Sequence, residues 1–257
     1  MLRVLFVGDI VGKQGRKALS KHLPFLTDKY NYDLLIINGE NSAHGKGITK
    51  KIYDYFIDLG VDCITMGNHT FSKDNVFSFI DDAQKLIRPA NLEPENYGKS
   101  AHIVEIKGKK IGIYNVCGNI FMENTTKTPF EALEKLLEKY PCDIKIVDLH
   151  AEATSEKYAF MQYFKKEVQM IVGTHTHIQT ADEAIFDNCA FICDVGMTGP
   201  YDSVLGRDTD EVLTSMIDKI KTKYTISTKE AIFSAVVVDI DLSDLKAINI
   251  ERIQIRP

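Results

Sequence analysis

Two histidines that alternate with threonines follow an apolar run of strand length in the second half of the chain. The run is Val168–Val172, and the stretch Gly173–His177 (Gly-Thr-His-Thr-His) comes directly after it. If the run is a buried strand, the glycine ends it and lets the backbone turn tightly. We then expect both imidazoles to point the same way, because side chains two residues apart in an extended chain share a face. Imidazole is the commonest nitrogen ligand of transition metals, so the spacing indicates a metal site, with two surface loop histidines as the alternative.

Three earlier units of strand, loop and helix each place polar side chains just after a predicted strand. The predicted strands are Leu2–Gly8, Asp33–Asn38 and Asp62–Met66. The polar residues that follow them are Asp9, then Glu40 and Asn41, then Asn68 and His69. Ligands of open α/β sheets bind at this edge, so three such loops indicate a shared site, although Asp9 alone is equally well explained as a helix cap. The glycines at positions 8, 12 and 15 fit neither a dinucleotide-binding fingerprint nor a Walker loop.

A further predicted strand, Asp143–Leu149, runs into His150, so the strand ends together offer carboxylate, amide and imidazole groups and no thiolate. This mixture suits two hard or borderline divalent ions such as Fe, Mn or Zn. One carboxylate can bridge two ions, and two ions about 3.5–4 Å apart form the usual clamp for phosphate ester hydrolysis. The candidate residues are Asp9, Glu40, Asn41, Asn68, His69, His150, His175 and His177.

Periodicity and turn signals predict the elements that position these residues, and their alternation predicts an α/β fold. The predicted helices are Thr49–Leu59, Lys73–Leu86, Pro129–Tyr140, Ser155–Lys166 and Asp208–Lys223. The other predicted strands are a hairpin of Ala101–Ile106 and Lys109–Val116, a strand at Ala190–Cys193, and two long strands at Ala231–Ile240 and Ala247–Ile255. A length of 257 residues without a linker fits a single domain over residues 1–257.

Composition argues against several functions. The net charge of −5 argues against stable binding to DNA or to an anionic membrane. No apolar run approaches the roughly 18 residues that span a bilayer, and no run of basic residues interleaved with aromatics marks a nucleic-acid groove. The five cysteines are scattered and form no Cys-x-x-Cys pair, which is typical of reduced thiols in a cytoplasmic protein.

Five motifs of the calcineurin-like metallophosphoesterases resemble stretches of this chain in the same order. The stretches are Gly8-Asp9, Glu40-Asn41, Gly67-Asn68-His69, His150 and Gly173–His177. The sequences Gly-Asp-Ile-Val-Gly, Asn-Gly-Glu-Asn and Gly-Thr-His-Thr-His further resemble the signatures of the YmdB-like branch, and the resemblance covers essentially the whole chain. Three positions depart from the wider superfamily: Val11 stands where its first motif has histidine, and Glu40 stands where its second has aspartate. Thr70 replaces the usual acidic residue after Asn-His, so the group that orients His69 is open.

The resemblance implies a four-layer α/β/β/α sandwich of two mixed sheets, with the two terminal strands in the second sheet. It also implies two metal ions, usually iron in this branch, with Mn or Zn as alternatives. The implied ligands of the first ion are Asp9, Glu40, Asn41 and His177. Glu40 bridges to the second ion, whose other implied ligands are Asn68, His150 and His175. In this scheme a metal-bound hydroxide attacks phosphorus in line, and His69 protonates the leaving oxygen or binds the phosphate.

The activity that the resemblance implies is hydrolysis of small phosphodiesters, with 2′,3′-cyclic nucleotides as the substrate class. The alternative is a regulatory nucleotide- or RNA-binding protein, or a nuclease, that uses the same dimetal centre. A homo-oligomer is compatible with the sequence. His44, in a glycine loop beside Glu40, fits a substrate contact and a plain loop position equally well. Arg207 could reach a phosphate, but a surface salt bridge is the favoured interpretation.

Overall fold

Strands of two sheets form the centre of the structure, and helices cover both outer faces. The computed structural model describes residues 1–257. The strands are β1 (Leu2–Val7), β2 (Asp9–Ile10), β3 (Leu34–Asn38), β4 (Cys63–Thr65), β5 (Leu86–Ile87), β6 (Ala101–Ile106), β7 (Lys109–Cys117), β8 (Ile144–His150), β9 (Met170–Thr174), β10 (Ala184–Phe186), β11 (Cys189–Ile192), β12 (Met197–Pro200), β13 (Ala231–Asp241) and β14 (Lys246–Ile255). The helices are α1 (Gly12–Tyr30), α2 (Lys50–Asp58), α3 (Pro129–Lys139), α4 (Thr154–Phe164) and α5 (Thr209–Ile217), with a 3-10 helix at Asp74–Ser78.

Each sheet is mixed and is built around a block of parallel strands. The first sheet has the order β2-β12-β13-β1-β3-β4-β5, with β14 paired to β13, and β1, β3, β4 and β5 are parallel. The second sheet has the order β10-β11-β9-β8-β7-β6, and β7, β8, β9 and β11 are parallel. The terminal strands β13 and β14 lie in the first sheet, where β13 pairs with β1, so their prediction in the second sheet is wrong. A buried strand carries the same apolar pattern in either sheet, and that pattern does not identify its neighbour.

Three apolar layers hold the sheets and helices together. Leu5 packs toward α1 and α2, whereas its neighbour Phe6 points into the layer between the sheets. In β8, Ile146 points into that same inner layer, and Val147 packs toward α3 and α4. Successive strand residues point to opposite faces, so each central strand contributes to two layers. The order of layers is therefore α/β/β/α, which confirms the predicted fold. No helix combines the length and the apolarity that crossing a membrane requires.

Two predicted helices differ from the structure. Only the 3-10 helix Asp74–Ser78 and a series of turns occupy the stretch that was predicted as helix Lys73–Leu86. This stretch is rich in aspartate, asparagine and serine, whose side chains compete for backbone hydrogen bonds and favour turns. The last predicted helix is shorter than expected: α5 ends at Ile217, and Lys219 then adopts a left-handed backbone conformation with φ of 59°.

Gly173 lies inside β9, so the prediction that it ends the strand is wrong. A Cβ atom at this position would lie 1.8 Å from the backbone oxygen of Cys193, at the end of the neighbouring strand β11. The close approach also allows the amide of Val195 to donate to the oxygen of Gly173 at 2.9 Å. The glycine is therefore required for strand packing just before the two histidines, and the chain turns after it.

We expect Gly173→Ala to lower the free energy of unfolding, because the added methyl group meets backbone that cannot move aside without shifting a strand. Overpacking of this kind typically costs about 1–3 kcal/mol. The control is Gly108→Ala, where no atom lies within 4 Å of the new Cβ and only the φ of 73° causes strain. Urea unfolding of the two variants measures the difference, and a Gly173→Ala protein as stable as the control would contradict this explanation.

Candidate functional site

The carboxyl ends of the parallel strands of both sheets meet at one edge of the sandwich. Asp9 follows β1, Glu40 and Asn41 follow β3, and Asn68 and His69 follow β4. From the second sheet, His150 ends β8, and His175 and His177 follow β9. The structure thus gathers all seven predicted ligands and His69 in one connected group of contacts. Their roles as ligands and catalyst stay predictions.

His150 is the centre of the first group of predicted ligands. Its Nε2 atom lies 2.9 Å from Asn68 Oδ1 and 3.2 Å from Glu40 Oε1. The same nitrogen lies 3.0 Å from Nδ1 of His175. Gly67 permits this convergence, because a Cβ atom there would lie 2.3 Å from His150 Nε2. Ligand-type atoms of Glu40, His150 and His175 all lie within 4.8 Å of one another.

His150 and His175 each direct one ring nitrogen to an oxygen outside the group, and these contacts indicate which nitrogen carries the proton in the neutral ring. Thr174 Oγ1 donates its proton to Asp148 Oδ1 at 2.7 Å, so it accepts a hydrogen bond from His150 Nδ1 at 2.9 Å. His175 Nε2 lies 3.0 Å from Glu152 Oε2, and a carboxylate can only accept. In the neutral rings, the lone pairs are therefore on His150 Nε2 and His175 Nδ1, the two atoms that face each other.

The second group has the same arrangement around His177. Its Nδ1 atom donates to the backbone oxygen of Leu205 at 3.0 Å, which leaves Nε2 as an acceptor. That Nε2 lies 3.3 Å from Asn41 Oδ1 and 4.0 Å from Asp9 Oδ1. The amide of Asn41 is fixed, because its Nδ2 atom donates to the oxygen of Gly45 at 3.0 Å. Three acceptor atoms thus face one another with no donor among them.

Both groups fit metal ions. Asp9 is fully buried, and its Oδ1 atom has no hydrogen-bond partner, which is costly for a carboxylate unless a cation binds it. Burial raises the pKa of Asp9 to about 7, against the attraction of His177 and His150. The available ligand atoms are carboxylate and amide oxygens and imidazole nitrogens, a set that suits Mn, Fe or Zn. Histidines that donate their other ring N–H to an oxygen are typical of metal sites.

Burial and mutual electrostatic interactions shift the pKa values of Glu40, His150 and His175. Burial alone would raise the pKa of Glu40, but the neighbouring His150 more than offsets this and holds that pKa below its ordinary value. Burial likewise opposes the charged form of His150, yet the Glu40 carboxylate raises its pKa to about 9. Burial and the charge of His150 lower the pKa of His175 to about 3. A positive charge is therefore favoured between Glu40 and His150, whether a proton or a metal ion supplies it.

Asp148 supports the site from behind, and sequence reasoning missed it. It is fully buried, and its Oδ2 atom accepts hydrogen bonds from Thr65 Oγ1 at 2.5 Å and from Asn38 Nδ2 at 3.1 Å. Because Thr65 and Asn38 belong to the first sheet and Asp148 to the second, these bonds tie the sheets together beneath His150. Burial raises the pKa of Asp148, against opposing effects of His150 and of its hydrogen bonds. The available signal was one aspartate between the apolar residues Val147 and Leu149 of a predicted strand.

A buried ion pair holds the loop of the two histidines, and sequence reasoning missed it as well. Lys157 Nζ lies 2.8 Å from Asp194 Oδ2 and donates to the backbone oxygen of Thr174 at 2.9 Å. Asp194 Oδ2 also accepts from the backbone amide of Thr176 at 3.0 Å. Removing one partner of such a buried pair typically costs about 3–5 kcal/mol, so the pair fixes the backbone on which the ligands stand. In the sequence, Lys157 resembles any solvated helix residue.

The two histidines do not lie on an extended chain, so the physical reason given for their common direction was wrong. β9 ends at Thr174, and His175 and His177 have φ angles of 102° and 68°. These left-handed conformations send His175 toward His150 and His177 toward Asn41. The motif therefore supplies one histidine to each of the two groups.

His69 projects from the loop after β4 into a cleft beside both groups. Its backbone amide donates to Glu40 Oε2 at 3.0 Å, and Ser72 Oγ is 3.4 Å from its Nδ1 atom. Ser72 thus contacts the ring, whereas Thr70 turns away and donates to the oxygen of Gly67. Burial lowers the pKa of His69, although the charge of Glu40 opposes this.

The cleft has a volume of about 340 Å³, and residues 204–224 form its other wall. Arg207 lies in this wall, stacked on the ring of Tyr224 at 4.5 Å, and it takes part in no salt bridge, so the favoured surface salt bridge is absent. His44 does not line the cleft and is exposed.

Comparisons with known proteins agree with this arrangement. A family model described as "YmdB-like protein" matches residues 5–253. The chain is 43% identical to the 2′,3′-cyclic-nucleotide 2′-phosphodiesterase of Bacillus subtilis (strain 168), over 99% of this chain and 97% of the relative. A crystal structure described as a novel phosphatase of Mycoplasma pneumoniae has a TM-score of 0.94 and 37% identity, covering 99% of this chain and 93% of that one. A crystal structure from Thermus thermophilus, described as a hypothetical protein, has a TM-score of 0.92 and 33% identity, and 98% of each chain is covered.

The names of the Bacillus and Mycoplasma relatives agree with the prediction that the chain is a phosphoester hydrolase. The matched region includes every residue of the five motifs, from Asp9 to His177. The chain belongs to the family of YmdB-like proteins, as those motifs predicted.

Proposed function

We propose that this protein is a dinuclear-metal phosphodiesterase that hydrolyses small phosphodiesters, 2′,3′-cyclic nucleotides among them. The observation that carries the proposal is the convergence of nitrogen and oxygen atoms of ligand type from both sheets. His150, His175 and His177 each direct one ring nitrogen to an oxygen outside the group. The other nitrogen of His150 and of His177 faces carboxylate or amide oxygens, and that of His175 faces His150 Nε2. The name of the Bacillus subtilis relative supports the substrate class.

The two groups define which residues would hold each ion. Asp9, Asn41 and His177 would hold one ion, and Asn68, His150 and His175 the other. Glu40, which contacts His150 with one oxygen and the amide of His69 with the other, would bridge them. Metal ions at such a site supply a nucleophile at neutral pH and neutralise charge on the phosphoryl oxygens. Iron is the ion that we propose, with manganese or zinc as alternatives.

His69 would move the proton that the leaving oxygen needs. Ser72 Oγ lies 3.4 Å from Nδ1 and can donate or accept there, so it can serve the tautomer of the neutral ring that this role requires, with the proton on Nε2. His69 lines the cleft, and its backbone amide fixes it beside Glu40. It is therefore placed to protonate the leaving oxygen of a bound ester without itself binding a metal.

The dinuclear site predicts two ions per chain in fully loaded protein. Glu40→Gln should lose at least one ion and most of the activity, because a neutral amide bridges two cations poorly. Elemental analysis of protein that has been stripped with a chelator, reloaded with Fe²⁺ or Mn²⁺ and desalted measures the ratio. The control is Glu134→Gln on the exposed face of α3, where the carboxylate binds only Tyr163. A single ion per chain at saturation would overturn the dinuclear proposal.

We expect His69→Ala to keep both metal ions and to lose about 10²–10⁴-fold in turnover, the usual contribution of proton transfer by a positioned side chain. The loss should shrink for nitrophenyl esters, whose leaving group needs no proton. His44→Ala, which changes an exposed histidine outside the cleft, is the control and should leave both values unchanged. If His69→Ala strips a metal ion, His69 is a ligand and the acid is another residue.

One observation favours the RNA-binding alternative as a second candidate. A groove of about 470 Å³ lies outside the cleft and is lined by basic side chains with no carboxylate among them. The basic residues are Lys13, Arg16, Lys17, His44 and Lys51. They come from α1, α2 and the loop between β3 and α2, so no basic run in the sequence indicated them. Phosphates of an RNA strand are the ligands that such a groove would attract.

Kinetics with a 2′,3′-cyclic mononucleotide and with a structured RNA of a few tens of nucleotides discriminates between the two candidates. We expect efficient hydrolysis of the mononucleotide, with a Michaelis constant that depends only weakly on salt, because one phosphate makes few ionic contacts. RNA that occupies several cations would instead lose affinity steeply between low and physiological salt. Strong preference for RNA, abolished when Lys13, Lys17 and Lys51 are changed to Glu, would establish the second candidate in place of the first.

A further inference from the structure

Arg207 is a cation in the wall of the cleft that has no carboxylate partner. Its guanidinium carbon lies 4.5 Å from the centre of the Tyr224 ring, and Nη2 donates to the backbone oxygen of Lys223 at 3.3 Å. The Nε atom is buried and has no hydrogen-bond partner. A guanidinium with so few acceptors in the protein is incompletely satisfied, which is unfavourable. Because Arg207 lines the cleft, its terminal N–H groups can donate to an acceptor that enters there.

The turn that carries Arg207 also fixes one of the predicted metal ligands. Val204 and Arg207 exchange backbone hydrogen bonds at 3.0 Å in both directions, and Ser227 donates to the oxygen of Gly206 at 3.0 Å. Between them, the oxygen of Leu205 accepts the hydrogen bond from His177 Nδ1. Backbone hydrogen bonds therefore fix this turn. Arg207 lies two residues after Leu205, whose oxygen contacts the predicted ligand His177.

Two cationic side chains lie against the ring of Tyr224 at the cleft. Besides Arg207, it holds the ammonium group of Lys46 at 4.9 Å from its ring centre. The negative face of an aromatic ring favours such cations and restricts their motion. The same wall is otherwise apolar, and its apolar residues are Val204, Leu205, Val212 and Met216. A cation beside an apolar surface fits a ligand that joins an anionic group to an organic group.

We propose that Arg207 is a substrate-binding residue that donates hydrogen bonds to an anionic oxygen of the substrate phosphate, and that Tyr224 is a positioning residue for it. The apolar wall then receives the nucleoside portion of the ester. A guanidinium presents its donors in a planar fork that matches two phosphate oxygens, which a flexible ammonium does not. The inference rests on the proposed phosphodiesterase function, because it assigns the group that Arg207 binds.

The test uses metal-loaded protein, a 2′,3′-cyclic mononucleotide as substrate and inorganic phosphate as a binding probe. Arg207→Gln should lower kcat/KM and phosphate affinity by about 10- to 100-fold, the factor for a hydrogen bond to a charged group, with both ions retained. Tyr224→Leu should likewise weaken binding, seen as a higher KM. Tyr224→Phe, which keeps the ring, should have wild-type values. Arg256→Gln is the matched control, since Arg256 lies over the ring of Tyr201 at 5.9 Å and outside the cleft.

Isothermal titration with phosphate separates this inference from the proposed function. If wild-type protein with two ions binds phosphate but cleaves no diester, the phosphodiesterase proposal fails, and the Arg207→Gln titration still decides the role of Arg207. Unchanged phosphate affinity in Arg207→Gln overturns the inference. Loss of metal or of the folded state in Arg207→Gln and in Arg207→Lys alike also overturns it, because Arg207 would then support the turn and not the substrate.

Discussion

Two buried carboxylates, those of Asp9 and Glu40, require the rest of the site to supply hydrogen bonds and positive charge. Both are at most 1% exposed, and one oxygen of Asp9 has no partner. Carboxylates without compensation are among the costliest groups to bury. Two backbone amides provide part of the compensation, since His69 donates to Glu40 Oε2 and His175 donates to Asp9 Oδ2. The outer ring N–H groups of the histidines add nothing, because they are committed to Thr174, Glu152 and Leu205. The remaining compensation is positive charge, which either a proton on His150 or bound metal ions can supply, and metal ions are the source that we propose. The neighbouring strands, glycines and ion pairs fix the positions of the predicted ligand atoms.

Much of the fold and of the site could be predicted from the sequence, because the strongest patterns are local. Apolar runs such as that of β3 identified the buried strands, and polar residues after them identified one edge of the sheets. The candidate site residues, from Asp9 to His177, followed from the same rule, and the structure brings them together at that edge. The motifs then indicated the family and the layer order, both of which the structure and the relatives confirm.

The features that could not be predicted depend on contacts between distant parts of the chain. The pairing of β13 with β1 and the bonds of Asp148 to Thr65 join residues that no local pattern relates. The stacking of Arg207 on Tyr224 likewise depends on the path of the segment after β12. Gly173 was misjudged for a related reason: its role is to admit the backbone of β11, and the sequence around it shows only a glycine at the end of an apolar run.

The division of the predicted ligands between the two sheets has a consequence for when the proposed metal ions could bind. Asp9, Glu40 and Asn68 belong to the first part of the chain to be synthesised, whereas His150 and His177 follow much later. Neither proposed ion would have its full set of ligands while only the early segment has left the ribosome. In addition, β1 lacks its neighbour β13 until residues 231–241 have been made. On the proposed ligand assignment, metal binding would therefore be complete only after His150 and His177 have been synthesised.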